Sequence, residues 1–343
     1  MNDSIIPVYV LTGFLGSGKT TILNRILDHA KTKGIKPAIL LNEVGDVNIE
    51  GQLIEADIPM SELLGGCICC TSRGDLGLEL VELAREHKPE VIWIESTGVA
   101  QPLEIMDGIT EASLYAKLEL KNVVTVVDSR HLLDRMRIGS GKTFKLMKEQ
   151  IRAANILVLN KVDLVQTEDL TELQEALASW NSAAKVIVTT RGELDPAVLY
   201  AETQPLHAHM HRHAQESAPI HVHDEHCNHD HKDDHVHHHH DHHQHSIVSE
   251  FHDHVNVVTY YFQSAIDSVA FENFLKQLPE SIYRAKGIVT FRDTASLFLF
   301  QYAYKEVDFL RITPQKSVNN VAVFIGEGFS QSELLERLEK LES

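Results

Sequence analysis

The chain has 343 residues, 43% of them apolar and 23% charged, and carries a formal charge of −18. That length accommodates two ordinary domains with separate cores, and the negative balance argues against nonspecific binding to nucleic acid or to an anionic membrane. No apolar run approaches the roughly 20 residues that span a bilayer, and Met1-Asn2-Asp3-Ser4 lacks the basic start and long apolar core of a secretory signal.

The first element is the apolar run Pro7–Leu11, which reads as a strand. It leads directly into Gly13-Phe14-Leu15-Gly16-Ser17-Gly18-Lys19-Thr20, a full match to the phosphate-loop pattern G-x-x-x-x-G-K-[ST]. Glycines let main-chain amides turn toward phosphate oxygens, and the helix opening near Thr20 adds the positive end of its dipole. Lys19 then reaches the terminal phosphates, the Thr20 hydroxyl ligates Mg²⁺, and Thr21 joins the nucleotide-binding set with the loop residues. Ile22, Leu23, Ile26, Leu27 and Ala30 share one face of that helix.

A second strand, Ala38–Leu41, precedes Asn42-Glu43-Val44-Gly45-Asp46, where a nucleotide-sensing segment would lie. Glu43 is either a functional carboxylate or an ordinary solvated one. Next come Gly65-Gly66 and Cys67-Ile68-Cys69-Cys70, which place three of the four cysteines within four residues. Thiols spaced so closely cannot easily pair with one another. In a reducing compartment they suit metal binding or redox chemistry, and the cytoplasm is the expected location. Thiolates favour Zn²⁺ and Cu(I). The fourth coordination position falls to a distant group, Glu43 or a histidine, or to water. Buried structural cysteines and a redox pair are the competing readings.

A helix carrying Leu76, Leu80, Leu83 and Ala84 precedes the run Val91–Ile94, which ends at Glu95-Ser96-Thr97-Gly98. An acid there can hold the water shell of a phosphate-bound magnesium. The runs Val123–Val127, Ile156–Leu159 and Val186–Val188 complete a series of near-continuous apolar strands, as found in a parallel sheet covered on both faces. Asn160-Lys161-Val162-Asp163 follows the fifth of these runs. A carboxylate at Asp163 would accept hydrogen bonds from guanine N1 and its exocyclic amine. Adenine offers the wrong donor pattern, so GTP is expected over ATP.

Composition changes after Gln204. Nineteen of the 22 histidines lie between His207 and His254, among acids and scattered apolar residues. Such a stretch buries too little to offset its ordering entropy and is expected to be a flexible linker, residues 205–254. Its imidazoles suit several transition metals without sharp selectivity. Order is expected again from Val255. Strands are read at Val255–Phe262, Ile288–Phe291, Leu297–Tyr304 and Val321–Ile325, with a helix over Val269–Leu278. Ser330-Gln331-Ser332-Glu333 is a capping-box pattern opening a last helix with Leu334, Leu335, Leu338 and Leu341.

The sum is an α/β fold with a mostly parallel sheet over residues 1–204, the linker, and a small α+β domain over 255–343. Together, Gly13–Thr20, Cys67–Cys70, Glu95–Gly98 and Asn160–Asp163 resemble the CobW-type family of P-loop GTPases. The resemblance covers the whole chain, and C-x-C-C between a switch segment and an acid is its most specific part. It implies a metallochaperone, particularly for zinc, with relatives that serve cobalt in cobalamin synthesis or nitrile hydratase. It implies GTP, Mg²⁺ and Zn²⁺ as ligands, client metalloproteins as partners, and a thiol site that responds to the nucleotide. Asn42-Glu43-Val44-Gly45 is similar to the family's switch motif, with Val44 where an aromatic is common; this adds Glu43 to the candidate magnesium or metal contacts, and places it with Lys19 and Glu95 among the candidate catalytic residues. Related nickel chaperones for urease and hydrogenase dimerise on nucleotide, so a homodimer is compatible with the resemblance. A cobalt- or nickel-delivery GTPase and a histidine-rich metal buffer with a vestigial GTPase are the alternatives. A small-molecule kinase would not need the thiols.

Overall fold

The computed structural model describes residues 4–42, 58–63, 73–201, 255–294, 296–303 and 305–343. Glu43, the thiols Cys67, Cys69 and Cys70, and the histidine-rich stretch 205–254 lie outside the described residues. Within them, two sheets fall in one compact unit.

The first sheet has strands β1 (Ile6–Thr12), β2 (Pro37–Asn42), β3 (Met60–Leu63), β4 (Val91–Glu95), β5 (Leu118–Asp128), β6 (Ile156–Asn160) and β7 (Lys185–Val188). Their order is β3-β2-β4-β1-β5-β6-β7, and every neighbouring pair is parallel. Helices α1 (Lys19–Lys33), α2 (Arg73–His87), α3 (Pro102–Ser113), α4 (Ser129–Ile138), α5 (Lys142–Arg152) and α6 (Thr167–Trp180) make the crossovers, and a short α7 (Ala197–Tyr200) follows β7.

Alternation along β1 shows why the runs are apolar throughout. Val8 and Val10 join Ala38, Leu40, Ile92 and Ile94 on the face packed by α2 and α3. Tyr9 and Leu11 turn the other way, onto Ile39, Leu41, Trp93 and the Ile22, Leu23 and Ile26 stripe of α1. Each such side chain contributes about 1.5–3 kcal/mol by leaving water, so neither face tolerates polar residues. The Tyr9 and Trp93 rings stack with centroids 4.8 Å apart under α1. This is the doubly wound architecture of a P-loop protein, and it brings the carboxyl ends of β1, β4, β5 and β6 to one edge.

The second sheet is antiparallel: β8 (Val255–Tyr261), β9 (Ile282–Thr290), β10 (Leu297–Ala303), β11 (Glu306–Ile312) and β12 (Val321–Glu327), in the order β11-β10-β9-β12-β8. Helices α8 (Ser268–Lys276) and α9 (Gln331–Glu342) cover one face with Phe271, Phe274, Phe300, Phe324, Leu334 and Leu338. The Ser330 hydroxyl caps α9 by accepting from the Glu333 amide at 3.2 Å, as its capping sequence dictates. Near the other end of α9, Glu342 accepts from the amides of Gln263 (2.6 Å) and Ser264 (2.8 Å) and from the Tyr260 hydroxyl (2.6 Å).

The opposite face of this sheet rests on the end of α3. Leu114 packs among Ile288, Val321 and Val323. The Asn319 amide donates to the Leu114 carbonyl at 2.7 Å, and its Nδ2 to the Ser113 carbonyl at 3.0 Å. The Tyr261 hydroxyl accepts from the Leu118 amide (2.7 Å) and donates to the Leu118 carbonyl (2.8 Å). Arg284 pairs with Asp107 at 2.5 Å, and Lys286 with Glu111. Among the described residues, no helix is long and apolar enough to cross a membrane.

Candidate functional site

The loop between β1 and α1 has the backbone its glycines were needed for. Gly13, Gly16 and Gly18 adopt φ of 136°, 75° and 108°. Space is as restrictive as torsion at two of them. A Cβ on Gly13 would lie 2.2 Å from the Val126 carbonyl oxygen, and one on Gly18 would lie 2.6 Å from Asn160 Nδ2. α1 starts at Lys19 with Gly18 as its N-cap and no side-chain cap, so its first-turn amides face the loop without a competing acceptor. Lys19 is buried and donates from Nζ to the Gly13 carbonyl at 3.1 Å, lying back across the loop. Thr21 stands exposed in the same first turn.

Glu95, 3% exposed at the end of β4, accepts from the Thr20 hydroxyl at 3.2 Å. The register that pairs Leu11 with Glu95 puts this acid beside the root of the loop. The buried hydroxyls of Thr12, Ser17 and Ser96 crowd the same strand ends and have no hydrogen-bond partner among the described residues. Buried hydroxyls are rarely left so, and a site built to accept phosphate oxygens and a hydrated cation would satisfy them. Hydroxyl and carboxylate oxygens together form the donor set a hard divalent ion prefers. The residues present therefore fit a nucleoside phosphate with magnesium.

Asn160 closes β6, 2% exposed, and ties three segments together. Its Nδ2 donates to the Ser17 carbonyl at 2.8 Å, its Oδ1 accepts from the Gly192 amide at 2.9 Å, and its carbonyl accepts from the Ser129 hydroxyl at 2.6 Å. Lys161 adopts a left-handed φ of 59°, rare for a side chain of its size and typical of functional turns. That turn sends its Nζ to the Gly16 carbonyl and to Asp128 Oδ2, both at 2.7 Å. Asp163 follows in the short turn Val162–Leu164.

Gly13, Gly16, Ser17, Gly18, Lys19 and Thr20 are thus joined to Glu95 on one side and to Asn160 and Lys161 on the other. Asp163 stands two residues beyond Lys161 in the same turn. Glu43, Cys67, Cys69 and Cys70 fall outside the described residues. Sequence reasoning missed Asp128, which caps α4 through the His131 amide (3.0 Å) while holding Lys161. An acid directly after the run Val123–Val127 was the available signal. It also missed the loop after β7, where Gly192 meets Asn160 and the Thr189 carbonyl accepts from the Val162 amide.

Comparison with known proteins supplies two family matches. Residues 7–188 match the model described as CobW/HypB/UreG, nucleotide-binding domain, and residues 255–342 match the cobalamin synthesis protein cobW C-terminal domain. A zinc-regulated GTPase metalloprotein activator 1 from Dictyostelium discoideum is 34% identical over 224 residues, 54% of this chain and 46% of that protein. The zinc chaperone YeiR of Escherichia coli strain K12 is 34% identical over 211 residues, 60% of this chain and 63% of its own. The matched region thus spans between about half and three fifths of these relatives. Among solved structures, the Zn(II)-bound YjiA GTPase from E. coli aligns over 99% of this chain and 100% of its own, at 22% identity and a TM-score of 0.44, too loose a superposition to bear on function.

Proposed function

The chain belongs to the CobW/HypB/UreG family of nucleotide-binding proteins, and from that premise we propose that it is a GTP-hydrolysing metallochaperone for zinc. One observation carries the nucleotide half: the side chain of Asn160, in the segment that would read the base, is hydrogen-bonded to the loop that would hold the phosphates. Gly13, Gly16, Ser17, Gly18, Lys19, Thr20 and Thr21 receive the phosphates. Asn160, Lys161 and Asp163 receive the guanine, with Asp163 as the acceptor that adenine cannot satisfy.

In this reading Lys19 leaves the Gly13 carbonyl for the terminal phosphates, and Thr20 with Glu95 holds magnesium directly and through its water. Glu43 joins that set or the metal cargo. Magnesium bound there would withdraw charge from the phosphates as the terminal bond breaks. The chain's own part is to fix the phosphates in the loop and keep the cation in place.

The zinc half rests on the thiols and on the names of the relatives, a zinc chaperone and a zinc-regulated activator. Thiolates of Cys67, Cys69 and Cys70 bind the cargo, with Glu43, a histidine or water in the fourth position. An incomplete shell favours release to client metalloproteins. The histidine tract of residues 205–254 collects metal between a GTPase domain (1–204) and a C-terminal domain (255–343). A nucleotide-dependent homodimer and a cytoplasmic location belong to the same reading.

Turnover by the purified full-length chain tests the nucleotide half. GTP should be hydrolysed and ATP should not, with activity lost in Lys19→Ala. Asp163→Asn should shift preference toward xanthosine triphosphate, whose base presents the complementary pattern. Equal use of ATP and GTP, or an unaltered preference in Asp163→Asn, would overturn the assignment.

A further inference from the structure

Gln150 lies on α5 and is 1% exposed, an uncommon state for a side-chain amide. Its Nε2 donates to the carbonyls of Gly98 (3.2 Å) and Ala100 (3.3 Å), both in the segment that leaves β4 after Glu95. The main-chain oxygen of Gln150 accepts from the Thr125 hydroxyl at 2.8 Å, which fixes this part of α5 to β5. Oε1 is buried without a partner among the described residues. An apolar side chain of equal length would fill the same space without burying an unsatisfied oxygen, so packing alone does not account for an amide here.

The segment it holds touches the phosphate loop. A Cβ on Gly98 would lie 2.5 Å from the Leu15 amide nitrogen and 2.9 Å from Leu15 Cα. On the strand side, the Ser96 amide donates to the Leu11 carbonyl at 3.0 Å. The Val99 amide turns to the Thr97 hydroxyl (3.3 Å) and the Ala100 amide to the Thr97 carbonyl (3.1 Å). Among the described residues the amides of Thr97 and Gly98 have no such acceptor. Two donors are therefore held at the rim of the loop by anchors on both sides, β4 before them and Gln150 after them.

We propose that Gln150 is a positioning residue: by pinning the Gly98 and Ala100 carbonyls to α5 it holds the Thr97 and Gly98 amides where a terminal phosphate can use them, and so sets the preference for GTP over GDP. The inference rests on reading this loop as the GTP site. GDP has no terminal phosphate and is indifferent to those amides. Because α5 leads straight into β6, the same helix connects the phosphate-sensing segment to the strand that ends in Asn160.

The test uses the full-length chain with Gln150→Met, which keeps length and volume and removes both donors. Hydrogen exchange at the bonded Val99 and Ala100 amides without nucleotide should quicken at least tenfold. Affinity for a nonhydrolysable GTP analogue and kcat for GTP should each fall about tenfold, with GDP affinity within twofold of wild type, whatever the fall in Tm from the two carbonyls left unpaired. Gln150→Glu, which exchanges the donor for an acceptor, carries the same expectation if the Met variant fails to fold. Wild-type exchange and an unchanged GTP-to-GDP ratio would overturn the proposal. So would equal loss of both nucleotides with a lowered Tm, or the failure of both variants to fold, since each marks Gln150 as structural only. A wild-type chain that bound neither nucleotide would remove the GTP reading, while exchange at Val99 and Ala100 would still decide whether Gln150 holds the segment.

Discussion

The side chain of Asn160 donates to the main-chain oxygen of Ser17 at 2.8 Å, joining residues 143 positions apart. With its other end on the Gly192 amide, it makes the end of β6, the loop after β7 and the phosphate loop one rigid seam. Asn160→Ala leaves a carbonyl and an amide buried and unpaired, at about 1–3 kcal/mol each. Urea denaturation should show a loss of about 2–6 kcal/mol, and fluorescent GDP and GTP should weaken together, because the seam serves both. Selective loss of GTP alone would contradict this geometry.

Two glycines in the loop make a controlled comparison. Gly16 needs only its φ of 75°, with nothing within 4 Å of an added methyl, whereas Gly18 combines a φ of 108° with a clash at Asn160 Nδ2. Gly16→Ala should cost about 1–2 kcal/mol of left-handed strain. Gly18→Ala adds displacement of the Asn160 seam, and its nucleotide affinity should fall at least tenfold further. Calorimetric titration of GDP into the two variants measures the difference, and equal affinities would show that Asn160 gives way freely.

The contact between α3 and the second sheet separates a polar contact that matters from one that does little. Burial holds the Tyr261 phenol well above its ordinary pKa, so it remains protonated and available to Leu118. Tyr261→Phe strips partners from the Leu118 amide and carbonyl and should destabilise by about 1–3 kcal/mol. Arg284, 44% exposed in its pair with Asp107, should cost about 0–1 kcal/mol as Arg284→Ala. Guanidinium unfolding of both variants tests the order, and the reverse order would mean the interface is electrostatic.

Acid should loosen the C-terminal helix first at Glu342. Burial raises that carboxyl, but hydrogen bonds from the Tyr260 hydroxyl and the Ser264 and Gln263 amides outweigh it and hold it below the usual carboxylate range. A depressed folded-state pKa stabilises above the unfolded value, and this contribution vanishes as pH falls through the folded one. Glu342→Gln should therefore lose stability at neutral pH and converge on wild type in acid. Thermal melts across pH 3 to 7, taken in steps of about one unit, read this out. A gap that persists in acid would assign the effect to packing.

Much of the first sheet was legible because its strands are buried on both faces, so Val91–Ile94 and Ile156–Leu159 stand out as uninterrupted apolar runs. The phosphate loop was legible because left-handed turns demand glycine at set spacings. β11 was not seen: as an edge strand with most side chains exposed, Glu306–Ile312 has neither an apolar run nor clean alternation. β3 is only four residues long and lies at the other sheet's edge. The roles of Asp128, Gln150 and Gly192 depend on partners 33, 52 and 32 positions away, and no local periodicity carries such pairings.

In the proposed metallochaperone, nucleotide and zinc are read by one device. If GTP changes zinc affinity tenfold, zinc must change GTP affinity tenfold, about 1.4 kcal/mol of coupling. The direct measurement is Zn²⁺ affinity of the full-length chain, by competition with a chromophoric chelator, with GDP and with a nonhydrolysable GTP analogue. The expected result is a difference of about tenfold or more between the two nucleotide states, abolished in Cys69→Ser. The same affinity in both states of the wild-type chain would contradict a nucleotide-gated metal site.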